Sequence, residues 1–145
     1  MSWEECVEEA KRELGIYGWV DRGRWNEVIE LAKDKYWDSE EFARTKEITI
    51  EEAGKKCVIC GKKERLTAHH ITYGANEKTI CLDKFCHRTV HRIQKTYGFV
   101  VQLTLMYWDN NEEIEMKYPN LFNISQNVRS KILDEIKKKS MIEKT

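Results

Sequence analysis

The chain has one proline in 145 residues, and its seven glycines are scattered. These two scarcities leave no room for a Pro- or Gly-rich linker. No apolar run approaches the ~20 residues of a membrane span, and mean hydropathy is −0.69, so no membrane partner is expected. A secretory signal is lacking too. Met1-Ser2-Trp3-Glu4-Glu5-Cys6 is acidic where a signal peptide would be basic and then apolar. The expected location is therefore cytoplasmic. In that reducing compartment cysteines are more often metal ligands or nucleophiles than disulfides. A net charge is absent as well, since 25 basic residues meet 25 acidic ones.

That balance hides a polarised chain. Residues 1–54 carry 8 Lys and Arg against 15 Asp and Glu, residues 55–98 carry 10 against 3, and residues 99–145 carry 7 against 7. The middle third is a basic block of the kind that suits phosphate backbones. The same cuts divide the chain into an acidic helical N-terminal region (1–54), a central module (55–98) and a C-terminal region (99–145).

Hydrophobic spacing gives a coarse α+β reading. Trp3, Val7, Ala10 and Leu14 recur at helical intervals over 2–14, with Ser2 and Glu5 as a capping box. Trp25, Val28, Ile29, Ala32 and Tyr36 make an apolar stripe over 22–37 behind Asp21 as cap. These patterns put Trp3, Trp25 and Cys6 in the core. Thr49 and Glu52 suggest a short capped helix before Gly54. Residues 65–72 and 78–82 read as strands around a Gly-Ala-Asn loop, and 86–97 as a helix ending at Gly98. Val100–Tyr107 is rich in β-formers, Asp109-Asn110-Asn111 is a turn, and Glu112–Tyr118 returns, so a C-terminal β-hairpin is expected. Pro119 ends it. A last helix runs from Ser125 to about 139, with Val128, Ile132, Leu133 and Ile136 inward. Lys137, Lys138 and Lys139 then suit its C-terminus.

The chemistry is concentrated between residues 57 and 91. All four histidines (69, 70, 87, 91) and four of the five cysteines (57, 60, 81, 86) lie there. Cys57-Val-Ile-Cys60-Gly61 is a knuckle in which two thiolates can hold one ion from a tight turn. Cys81 and Cys86 would complete a four-cysteine structural zinc site. Their spacing is wider than usual, and Asp83, three before Cys86, is the alternative to Cys81 as a ligand. His87 and His91 are i, i+4 and project from one helix face. His69 and His70 are adjacent on a strand and face opposite sides. One of them can therefore join His87 and His91 in a three-histidine metal site with an open side.

Cys57-x2-Cys60, Ala68-His69-His70-Ile71, Asn76-x4-Cys81 and Cys86-His87-x3-His91 together resemble the HNH endonuclease family over about residues 55–95. The resemblance implies a ββα-metal fold, two strands and a helix around one divalent ion, stapled by a four-cysteine zinc. It implies metal-dependent hydrolysis of DNA phosphodiester bonds with Mg²⁺ or Mn²⁺, leaving 5′-phosphate and 3′-hydroxyl ends. His69, His87 and His91 match the catalytic-metal ligands, His70 the general base that activates water, and Asn76 the central Asn that helps orient it. Placing Asn76 there makes Cys81 the third zinc ligand. The competing alignment keeps the short second-pair spacing and puts Lys78 at the Asn position and Asp83 at the Cys position. Arg88, Arg92 and Lys95 form a stripe beside the ligand face. With Lys62 and Lys63, and with Lys55, Lys56 and Arg65 flanking the knuckle, they are expected to grip DNA.

One such module nicks one strand of a duplex, so a double-strand break needs a homodimer or two successive nicks. The acidic first third could pack on the module, meet a partner protein or guard against unspecific DNA binding. A zinc-stapled nucleic-acid-binding module without cleavage, and a zinc-dependent interaction domain, are the rival classes.

Overall fold

Helix starts in the first third are written in local chemistry. In the computed structural model, which describes residues 1–74 and 77–143, Ser2 Oγ accepts from Glu5 N and opens α1 (Trp3–Glu13). Asp21 accepts from Arg24 N and opens α2 (Arg22–Trp37). A third helix, α3 (Glu40–Glu52), starts where Ser39 Oγ accepts from Phe42 N, ahead of the start expected at Thr49. Thr49 is inside α3 instead of capping it, with its hydroxyl turned back to the Thr45 carbonyl. These side chains satisfy amide donors that a helix leaves without intrahelical partners.

Strands β1 (Leu66–Thr72) and β2 (Lys78–Asp83) form a two-stranded antiparallel sheet. Its register pairs Leu66 with Asp83, Ala68 with Cys81, His69 with Ile80 and His70 with Thr79. Helix α4 (Lys84–Tyr97) follows directly, capped by Asp83, and stops at Gly98. The Gly98 φ of 63° lets the chain reverse and restart as α5 (Phe99–Met106) without a linker. Then come α6 (Asn111–Lys117), a 3₁₀ turn at Pro119–Leu121 and α7 (Phe122–Glu143). The described residues thus form an α+β fold of seven α-helices and one two-stranded sheet.

The expected C-terminal β-hairpin is replaced by α5 and α6. Val100, Val101, Leu103, Thr104 and Leu105 are all buried, so α5 is enclosed on nearly every side. A short apolar run carries no periodic signal that separates a buried strand from a buried helix. Thr104, a β-former, satisfies its hydroxyl inside the helix on the Val100 carbonyl at 2.7 Å.

Two cores result. One joins Cys57, Leu82, Cys86, Val90 and Ile93 to Val101, Leu105, Trp108, Val128 and Ile132 of the C-terminal helices. The other packs α1 on α2 through Cys6, Ala10, Val28, Ala32 and Tyr36, with Phe42 and Tyr73 against it. Trp25 and Leu133, expected inside, are 40% and 42% exposed. Trp3 packs its ring on Tyr73 at 4.6 Å.

Candidate functional site

The first cluster grows from the knuckle. Gly61, at φ 78°, closes the Cys57–Cys60 turn by donating its N–H to the Cys57 carbonyl. Val58 N–H docks the turn on the Cys81 carbonyl of β2 at 2.9 Å. One donor atom each from Cys57, Cys60, Asp83 and Cys86 then lies within 4.8 Å of the others. The Cys81 thiol, expected as the third ligand, is outside that group. It is fully buried in mid-strand opposite Ala68, whereas Asp83 stands where the strand turns into α4. Asp83 uses both carboxylate oxygens: one accepts from Cys86 N at 2.7 Å, the other from the Cys60 thiol at 2.8 Å. The geometry therefore puts Asp83, the alternative ligand, in the cluster in place of Cys81.

The acid–base state of this cluster suits a cation. A hydrogen bond from the Cys86 thiol pulls Cys57 down to about 5, and the same bond, with burial, pushes Cys86 up. Burial and the Asp83 carboxylate push Cys60 up to about 12. Several anionic donors cannot share one buried site unless a positive ion neutralises them. Three sulfurs and one carboxylate oxygen form a closed set that suits Zn²⁺.

The second cluster spans β1 and α4. His69 points from β1 to the helix face carrying His87 and His91, with ring centroids 5.2 and 5.1 Å away. The His87 and His91 Nε2 atoms are 3.0 Å apart, and one nitrogen from each of the three residues lies within 4.8 Å of the others. Burial holds His69 and His87 down at about 4 and lowers His91, so all three are neutral with lone pairs to give near pH 7. His69 is 2% exposed, and its Nδ1 has no hydrogen-bond partner among the described residues. An orphaned buried acceptor between two other imidazoles fits a divalent ion. On its other edge His69 Nε2 is 2.9 Å from Gln102 Oε1 of α5.

His70 faces the opposite way, as strand alternation demands. Its ring stacks on Tyr73 at 4.0 Å and on Phe42 of α3 at 5.2 Å. Its Nε2 lies 2.7 Å from Glu77 Oε2, which also accepts from the Tyr36 hydroxyl at 2.7 Å. Thr45 donates to the other Glu77 oxygen. Burial lowers the His70 pKa while the Glu77 hydrogen bond opposes that shift. All four histidines line one cavity of about 510 Å³ whose far wall is Glu30, Lys33 and Trp37 of α2. The acidic N-terminal region therefore forms part of the site.

Glu77, Gln102 and Lys33 were missed in the sequence. No motif or spacing marked them, and Glu77 stands just before β2, beside a register shift between His70 and Thr72. Asn76, the expected orienting residue, lies outside the described residues.

The expected DNA-gripping residues separate. Lys95, Lys63 and Arg88 are exposed. Arg92 instead turns to α7 and pairs with Glu135 at 3.1 Å. A smaller cleft of about 240 Å³ gathers Lys62, Arg65, Lys84, Arg88 and Lys139 beside the acidic Glu64 and Asp83, with Lys139 also 4.2 Å over the Phe85 ring. No protein-family model matches the chain, and neither does a curated protein or a solved structure.

Proposed function

We propose that this protein is a metal-dependent DNA endonuclease of the HNH type, with β1, β2 and α4 as its ββα-metal module. The observation that carries the reading is one cavity holding two different histidine environments. Three neutral imidazoles converge with an open side, and a fourth is held by a carboxylate. A binding module needs no such division of labour.

His69, His87 and His91 would hold a divalent ion, Mg²⁺ or Mn²⁺ in the reaction, although three imidazoles also suit Zn²⁺. When bound, that ion neutralises the anionic phosphodiester and stabilises the departing 3′ oxygen. His70 takes the proton from the attacking water. With Nε2–H committed to Glu77, Nδ1 is the nitrogen that accepts it, and the carboxylate steadies the imidazolium that forms. Lys33 is the only Lys or Arg lining the cavity among the described residues, and its charge reaches both His70 and His91. It serves as a phosphate contact. The cleft around Arg88 and Lys84 follows the DNA backbone beyond the site. The Cys57, Cys60, Asp83 and Cys86 cluster takes a structural Zn²⁺ that fixes the start of α4, and with it His87.

The test is supercoiled plasmid with Mg²⁺, Mn²⁺ or EDTA, comparing wild type with His70→Ala. Open-circle product that needs both metal and His70 supports the reading. A folded, zinc-loaded wild type that binds DNA but never changes its topology would overturn it in favour of a non-catalytic binding module.

A further inference from the structure

Gln102 lies on α5, outside the two strands and the helix that carry the histidines. It nevertheless makes three contacts at their centre. Its Nε2 donates to the His70 carbonyl at 2.8 Å and to the Ile71 carbonyl at 3.3 Å. Its Oε1 lies 2.9 Å from His69 Nε2.

These contacts allow one hydrogen-bond assignment. Backbone carbonyls only accept, so the amide nitrogen belongs on their side and the amide oxygen on the side of His69. An amide oxygen also only accepts, so His69 must carry its proton on Nε2. A neutral imidazole has one N–H, which leaves Nδ1 as a bare lone pair. That is the atom with no hydrogen-bond partner among the described residues, in a ring that is 2% exposed and that offers one nitrogen within 4.8 Å of a nitrogen from each of His87 and His91.

We infer that Gln102 is a positioning residue for the histidine centre: it locks His69 in the Nε2–H tautomer, so that the ring ligates through Nδ1. The inference rests on the proposed metal-binding role of that centre. It makes α5 part of the site, although no motif marks it. It also has an electrostatic consequence. A carboxylate at this position would raise the basicity of the ligand and add negative charge beside the ion. A neutral amide sets the tautomer without that charge, so an ion held there keeps more of its pull on an anionic substrate.

The experiment uses the full chain with zinc supplied to the cysteine cluster and with ¹⁵N-labelled histidine. Wild type, Gln102→Leu and Gln102→Glu are compared in two readouts. In the first, nitrogen shifts assign the His69 tautomer before a second metal is added. Wild type is expected as Nε2–H, and Gln102→Leu as a mixture or as Nδ1–H. In the second, Co²⁺ is titrated and followed by its visible absorption. Gln102→Leu should weaken binding at the histidine centre about 10- to 100-fold. Gln102→Glu, which keeps an acceptor on His69 but loses both donors to the carbonyls, should restore most of it. A role limited to stapling α5 to β1 predicts the reverse, with no rescue by Glu.

A wild-type His69 found as Nδ1–H overturns the inference without any variant. Equal Co²⁺ affinity in wild type and Gln102→Leu overturns it while leaving the metal centre standing. A wild type that binds no Co²⁺ at the histidines overturns the metal centre itself, and the inference with it.

Discussion

Glu77 gathers three donors, from His70, Tyr36 and Thr45, onto one carboxylate. In the proposed reaction its charge matters because His70 becomes positive as it takes a proton. Glu77→Gln keeps the shape and removes that charge. It should slow plasmid nicking by roughly 10²-fold while DNA affinity, measured in EDTA, stays within a few-fold. Unchanged nicking would remove Glu77 from the mechanism. The zinc cluster makes a second residue-scale prediction. Cys81→Ala should still bind about one zinc per chain, because the Cys81 thiol is outside the group of four donors. Cys86→Ala and Asp83→Ala should lose tight zinc, and Asp83→Ala also loses the cap of α4, at a cost of about 0.5–2 kcal/mol. Metal content by elemental analysis checks all three. Full zinc in Asp83→Ala together with loss in Cys81→Ala would restore the four-cysteine arrangement.

Among the elements, α5 is the one whose conformation decides most. It supplies Val101 and Leu105 to the main core and Gln102 to the site from neighbouring positions. Leu105, 1% exposed, packs among Trp108, Val128 and Ile132. Leu105→Ala should cost about 2–5 kcal/mol in denaturant unfolding. An exposed apolar residue of the same helix, Phe99, should cost far less on truncation, since it is 67% exposed. Helix α3 matters through Phe42, whose ring covers His70. Ser39→Ala removes its cap and should cost about 1 kcal/mol, read as faster amide exchange in the first turn of α3.

Across the whole molecule, residues from all three regions read from charge meet at the histidine cavity. The main core is shared between residues 57–93 and 100–132. The histidine cavity has walls from α2, β1, α4 and α5. A chain cut after Gly98 would leave Leu82, Cys86 and Val90 facing water. It should fail to fold cooperatively even with zinc present, as judged by calorimetry against the full chain. A sharp, zinc-dependent transition in that fragment would show that the shared core is dispensable. The acidic N-terminal region covers His70, which is 6% exposed. That settles where this region packs, a point the charge pattern left open.

The sequence alone specified whatever local chemistry could express. The caps at Ser2 and Asp21, the apolar stripes of α1 and α2, the two neighbouring strands, and the i, i+4 placement of His87 and His91 all depend on residues close together along the chain. So does the opposite orientation of His69 and His70, which follows from the two-residue period of a strand. Tertiary structure decided the rest because the deciding partners are remote. Residues 99–106 form a helix instead of a strand because burial on nearly every side overrode their β-propensity, whereas in the returning segment only Ile114 of α6 is buried. Asp83 stands in for Cys81 because of where β2 turns into α4, which spacing by itself cannot measure. Gln102 reaches His69 across 33 positions, by a contact that exists only once α5 has packed against β1.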